Sequence, residues 1–159
     1  MTTIRKTTKK TTKKVAKPTW IYFLLDMTGS MASAKAATIS GYNEYLENIR
    51  RNKKGSIQFS LTTFNSITGS VSVYQNVDID MAESLTDSIY QPDGMTPLYD
   101  AIASTIRGVE ATLKGKKKSP AVLVVIMTDG LENNSKEWKR DSVFDLISEK
   151  QKEAGWTFA

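Results

Sequence analysis

The sequence contains no cysteine and no histidine. Disulfides, thiolate and imidazole metal sites, and the Ser-His and Cys-His nucleophile pairs are excluded together. Any metal this chain binds is therefore a hard ion held by oxygen. Long apolar runs are missing too: no stretch approaches the roughly 18 residues of a membrane span. The N-terminus is basic but lacks the apolar core of a secretory leader. These absences lead to the expectation of a soluble cytoplasmic protein with no membrane partner.

Acidic residues are absent from the first 17 positions, which carry Arg5, Lys6, Lys9, Lys10, Lys13, Lys14 and Lys17. Removing these seven from the 22 basic residues leaves 15 against 17 acidic ones, so the formal charge of +5 covers a body near −2. Lys6 to Lys14 alternates paired lysines and threonines with a period of four. On a helix that period would stack like charges at i and i+4, and threonine is a poor helix former. Residues 1–17 are expected to be a disordered basic tail, able to touch nucleic acid or to act as a solubilising arm. Residues 18–159 are expected to form one domain, as the length of 159 residues favours.

Trp20 to Leu25 is a continuous apolar run that ends abruptly in Asp26-Met27-Thr28-Gly29-Ser30. A run apolar on both faces reads as a central parallel strand covered by helices above and below. Asp26 then stands at the carboxyl end, where open α/β sheets bind ligands. Ile39, Tyr42, Leu46 and Ile49 recur at helical spacing from about Met31 to Asn52. Ile57, Phe59 and Leu61 alternate with polar residues, Asn65 to Gly69 makes a turn, and Val71 and Val73 alternate again. That pattern predicts a hairpin with one antiparallel edge strand. Met81 to Tyr90 reads as a short helical segment. Thr96-Pro97 reads as an N-cap followed by a first-turn proline, with Leu98, Ile102, Ile106, Val109 and Leu113 as the buried stripe.

Ala121 to Met127 is the second fully apolar run, and it also ends in Thr128-Asp129-Gly130. A helix over about Glu137 to Glu153 is predicted to turn Phe144 and Ile147 inward, and Trp156 to Ala159 starts a further strand. The pattern implies a doubly wound, mostly parallel α/β sheet with one antiparallel edge strand, a Rossmann-like architecture. With the two apolar strands adjacent, as in the order 3-2-1-4-5, three loops meet in one crevice. Two carboxylates brought together without a cation repel, and a hard divalent ion removes the conflict. Asp26, Thr28, Ser30, Thr96 and Asp129 offer oxygens suited to Mg²⁺, which prefers six.

These stretches carry a family resemblance. Leu25-Asp26-Met27-Thr28-Gly29-Ser30-Met31 resembles the Asp-x-Ser-x-Ser motif of von Willebrand factor A domains, with threonine in place of the first serine. Gly94-Met95-Thr96-Pro97-Leu98 is similar to the family's Gly-x-Thr-Pro-Leu loop, and Thr128-Asp129-Gly130 to its Thr-Asp-Gly. The motifs stand in the family's order, from about Thr19 to Ala159. The resemblance implies that Asp26, Thr28, Ser30, Thr96 and Asp129 form a metal-ion-dependent adhesion site. There Mg²⁺ or Mn²⁺ would be completed by an Asp or Glu of a protein partner, without catalysis. Family members run on for roughly 35–50 further residues by ordinary element lengths. Either the domain is minimal, or its open C-terminal strand edge is completed by a partner or by oligomerisation.

Other readings compete. Ser30 and Thr96 could serve only as helix caps, and Asp93, Asp100 and Glu132 only as loop or capping residues. A strand ending Asp-x-Thr-Gly also resembles haloacid-dehalogenase-type phosphoryl transfer, with Asp26 as nucleophile and Thr128 as phosphate ligand. A structural or assembly protein, viral among the options, would use the basic tail on nucleic acid or an acidic surface.

Overall fold

The computed structural model describes residues 15–159. The expected tail falls outside the described residues up to position 14, and Val15 to Pro18 form exposed irregular chain. Five strands make one sheet in the order β3-β2-β1-β4-β5. β1 (Thr19–Asp26) is central, with β2 (Ile57–Asn65) and β4 (Ala121–Met127) parallel on either side. β3 (Gly69–Asp78) closes one edge as the antiparallel half of the hairpin, and β5 (Thr157–Phe158) the other. The helices are α1 (Lys35–Asn52), α2 (Leu98–Leu113) and α3 (Arg140–Glu153). Among the described residues no helix is long and apolar enough to cross a membrane.

The apolar run of β1 divides its side chains between two cores, because successive residues of a strand face opposite ways. Ile21, Phe23 and Leu25 pack with Tyr42 and Leu46 of α1, with Phe59 and Leu61 of β2, and with Leu85 and Tyr90. Tyr22 and Leu24 pack with Leu98, Ile102 and Ile106 of α2 and with Val143 and Leu146 of α3. Leu24 and Leu25 are fully buried, each stabilising the fold by roughly 1.5–3 kcal/mol relative to exposure.

β4 departs from the expected symmetry with β1. Val122 and Val124 are buried under α2 and α3, but Leu123, Val125 and Met127 on the other face are only half-buried. They reach the edge of the α1-side core without being covered by it.

The segment after β3 is not helical. A 3-10 turn covers Ile79–Met81, and the chain then runs irregularly to Tyr90. Side chains of α1 take the hydrogen bonds a helix would have made. Arg50 donates to the carbonyls of Ile79 and Ala82, while Asn43 accepts from the Leu85 amide and donates to its carbonyl. Burial of Ala82, Leu85 and Tyr90 then holds the segment down on the core.

α3 begins later than expected, and its inward stripe is displaced by one residue. Val143 and Leu146 are buried, whereas Phe144 is 49% exposed and lies beneath the Arg140 guanidinium, 4.7 Å from the ring centre. Ile147 is half-buried on the inner side, as predicted.

Register places the site. Thr19 lies opposite both Ile57 and Ala121, and Leu25 lies opposite Met127. Asp26 and the Thr128-Asp129 turn therefore leave the sheet at the same level and from adjacent strands.

Candidate functional site

The β1 turn is built on the Asp26 carboxylate. Its Oδ1 accepts the Thr28 amide at 2.8 Å, a short-range bond that aspartate makes readily after a strand. Its Oδ2 accepts the Thr128 hydroxyl at 2.7 Å, which ties the β1 and β4 loops together across 102 residues of sequence. Asp26 and Thr28 are both fully buried. Ser30 is exposed, with its Oγ 3.2 Å from the Thr28 Oγ1. Neither Ser30 nor Thr28 caps the helical turn that follows, since that turn has no side-chain cap.

A second loop closes over the first. The Gly29 amide donates to the Gly94 carbonyl at 2.9 Å, and the Asp93 amide to the Met27 carbonyl at 3.0 Å. A Cβ on Gly29 would stand 3.3 Å from that Gly94 oxygen. A side chain here would push the Gly94 carbonyl aside by a few tenths of an ångström, so it is the close approach of the two loops, not the turn of the chain, that favours glycine. Gly94 has φ +77°, and a Cβ on it would lie 2.8 Å from the Ser66 Oγ. Both limits select glycine.

Thr96 is 3% exposed, but the predicted N-cap is absent: α2 starts from Pro97 with no side-chain cap. Thr96 is held through its backbone instead. Its amide donates to the Asn133 Oδ1 at 2.7 Å, and its carbonyl accepts from the amides of Asn133 and Asn134 at 3.0 and 3.3 Å. The α2 amides are capped from the loop after β4, where Glu132 Oε2 accepts from Tyr99 at 3.1 Å and Ser135 Oγ accepts from Asp100 at 3.1 Å. Asp100 returns the bond, its carboxylate accepting the amides of Lys136 and Trp138 at 2.7 and 2.8 Å. Burial pushes the Glu132 carboxyl up, but the Ser135 hydroxyl and the amides of Ser135, Tyr99 and Asn134 outweigh it and hold it below its ordinary value.

Asp129 follows Thr128 into solvent, in a turn where the Gly130 amide donates to the Thr128 Oγ1 at 3.0 Å. Beneath the loops, the fully buried Tyr90 donates its hydroxyl to the Asp26 backbone carbonyl at 2.7 Å. Burial chiefly pushes the Tyr90 hydroxyl up to about 12; a hydrogen bond with Thr38 opposes this, and the negative fields of both Asp26 and Asp129 add to it. The structure brings Asp26, Thr28 and Ser30 together directly, and bonds among the three loops bring Thr96 and Asp129 to the same end of the sheet.

Among the described residues, none of the ion pairs involves Asp26. Nor do those residues contain three or more acids close enough to hold a metal by carboxylates alone. Hydrogen bonds join the oxygens of Asp26 and Thr128 and those of Thr28 and Ser30. Sequence reasoning missed Thr128 as the partner of Asp26, Tyr90 as the support under it, and Glu132, Asn133 and Ser135 as anchors. Thr128 had a signal, its place at the end of an apolar strand, whereas the others depend on which loops meet.

No protein-family model and no curated protein matches this sequence. Solved structures do. A von Willebrand factor type A structure from Catenulispora acidiphila aligns with TM-score 0.60 at 15% identity, over 91% of this chain and 32% of that one. The manganese-loaded TRAP protein of Plasmodium vivax aligns with TM-score 0.59 at 16% identity, over 90% and 56%. The pilus adhesin SpaC of Lactobacillus rhamnosus GG, in an open conformation, aligns with TM-score 0.55 at 20% identity, over 74% and 15%. The chain thus spans between 15% and 56% of the lengths of these proteins. At such identities the likeness establishes the fold.

Proposed function

We propose that this chain, whose fold is that of von Willebrand factor A domains, is a divalent-metal-dependent protein-binding module. Asp26, Thr28, Ser30, Thr96 and Asp129 would hold Mg²⁺ or Mn²⁺, and an Asp or Glu side chain of a partner would complete the coordination. One observation carries the reading: Asp26 is wholly buried, receives two hydrogen bonds, and has no cationic side chain paired with it among the described residues. A buried carboxylate is costly unless its charge is compensated.

The chemistry of the donors fits a small hard ion, which favours carboxylate and hydroxyl oxygens and tolerates few carboxylates. Thr96 supports the reading because its caps are supplied by other residues, leaving its hydroxyl no structural task at α2. When bound, the ion would supply a positive charge with room for one further oxygen ligand. Asp26 would anchor it from the buried side, and the exposed Ser30 and Asp129 would frame the side from which a partner's carboxylate arrives. The similarity to a manganese-loaded protein and to a pilus adhesin points the same way.

A nucleophilic role for Asp26 is less well supported. The sequence has no histidine to move protons, and that scheme gives the Thr96 loop no role.

A thermal melt tests the proposal. A ligand at a hundred times its Kd stabilises by about 2.7 kcal/mol, which for a domain of this size raises Tm by about 5–10 °C. Millimolar Mg²⁺ or Mn²⁺ is expected to raise the wild-type Tm by an amount of this order, reversed by chelator, with no response in Asp26→Ala. Identical metal responses in wild type and Asp26→Ala would sink the assignment.

A further inference from the structure

The loops entering the sheet lie at the end away from Asp26 and carry an excess of lysine, with Asp78, Asp80 and Glu153 among the acids near them. β1, β2 and β4 start level with one another, since Thr19 stands opposite Ile57 and Ala121. Pro18 is fixed between the two neighbouring loops: its carbonyl accepts the Ala121 amide at 2.9 Å, while the Thr19 amide donates to Ser56 at 3.0 Å. A Cβ on Gly55 would stand 3.3 Å from the Ala16 side chain, and Lys17 and Lys118 line one cleft. Lys116 sits over the Trp20 ring, 5.0 Å from its centre.

This packing gathers Lys17, Lys54, Lys114, Lys116, Lys117 and Lys118 around the point where the chain enters the domain. All six are exposed, and none is in an ion pair among the described residues. Lys53, beside them, is paired with Asp80. Like charges on adjacent loops repel one another, and of the six only Lys116 has a packing role, over the Trp20 ring. Immediately upstream the sequence adds Arg5, Lys6, Lys9, Lys10, Lys13 and Lys14 with no acid. The far end carries Asp26, Asp93, Asp129 and Glu132, one eight-residue strand away, or roughly 26 Å.

We propose that this basic end, through Lys17, Lys54, Lys114, Lys116, Lys117 and Lys118, binds the phosphate backbone of nucleic acid without reading its sequence, so that one domain has two binding ends of different character. Lysine ammonium groups neutralise phosphates as point charges and carry no base-reading fork. A lipid surface suits the end less well. Its exposed large apolar residues, Val15 and the Met81 that follows Asp80, come from two different segments, and Trp20 is half-buried under Lys116. The proposal is independent of the metal reading, because it uses none of the same residues.

The test uses the full chain and a fluorescein-labelled 20-base-pair duplex of mixed sequence, followed by anisotropy between about 50 and 200 mM salt. Log K should fall linearly with log salt and be indifferent to duplex sequence and to chelator. The triple variant Lys116→Gln, Lys117→Gln, Lys118→Gln should bind more weakly and lose about 2 to 3 from the salt slope, at about 0.9 per phosphate neutralised. Lys136→Gln with Lys139→Gln, in the loop after β4, should leave affinity and slope unchanged. Equal Tm values would confirm that every variant is folded. Wild-type affinity and slope in the triple variant would overturn the proposal by assigning the charge to the preceding segment alone. Binding to phosphatidylserine vesicles at the same salt, with none to the duplex, would overturn it in favour of a membrane.

Discussion

Asp26 owes its position to three groups that sequence spacing does not link. Thr128 donates to its carboxylate, Tyr90 to its backbone carbonyl, and the amide of Thr28 folds the turn around it. The Thr128 bond ends on a buried carboxylate, and hydrogen bonds to charged groups stabilise by about 1.5–3 kcal/mol. Thr128→Val keeps the shape and removes the hydroxyl, so it should destabilise the domain by about that amount in urea unfolding. Combined with Asp26→Asn, the loss should fall well short of the sum of the two single changes, because the residues share one bond. Additive losses would mean that the contact contributes nothing. Thr128 illustrates what the sequence half-revealed: its place after an apolar strand was legible, but its partner was not.

Among the elements, the start of α2 and the loop over residues 132–138 cap each other. Glu132 and Ser135 take the first amides of α2, and Asp100 takes the amides of Lys136 and Trp138. Helix caps of this kind contribute about 0.5–2 kcal/mol each. The Glu132 carboxyl is held below its ordinary value of 4.5, so its contribution is complete above that pH and disappears as pH falls through the lower folded value. At pH 7, Glu132→Gln should be less stable than wild type, and the gap should narrow at pH 3, read from urea midpoints at both pH values. A gap of constant size would show that the charge of Glu132 is not what holds the clasp. The same scale explains the segment after β3. Its residues have some helical pattern, but Arg50 and Asn43 satisfy its backbone from α1 and its apolar side chains are used singly. In α3, periodicity located the helix, yet Phe144 covers the outside while Val143 and Leu146 reach the core.

For the whole molecule, stability is graded from the centre of the sheet to its β5 edge. β1 is paired on both sides and packed into both cores, whereas β5 has two residues paired with β4 alone. Native-state hydrogen exchange should therefore find the amides of Leu24 and Leu25 opening only with global unfolding, and that of Phe158 through a local event of much lower free energy. Equal protection at the two places would imply that β5 is held by more than its short pairing. Exposed lysines outnumber acids around the starts of the parallel strands, whereas Asp26, Asp93, Asp129 and Glu132 lie at their carboxyl ends. An α/β sheet separates these ends by the length of its strands, so both can be occupied without contact.

The amino-acid sequence by itself determined the class of fold and the oxygen chemistry of any site. Two apolar runs ending in Asp26 and Asp129 call for a parallel sheet, because only strands buried on both faces tolerate such runs, and a chain without cysteine or histidine leaves oxygen as its metal-binding atom. Tertiary structure decided the rest: that Thr96 leaves the capping of α2 to Glu132 and Ser135, that Tyr90 supports Asp26, and that lysines from three separate segments share one end. Those outcomes depend on strand register and loop contacts, which are set by packing between residues far apart in the chain and leave no local periodicity to read.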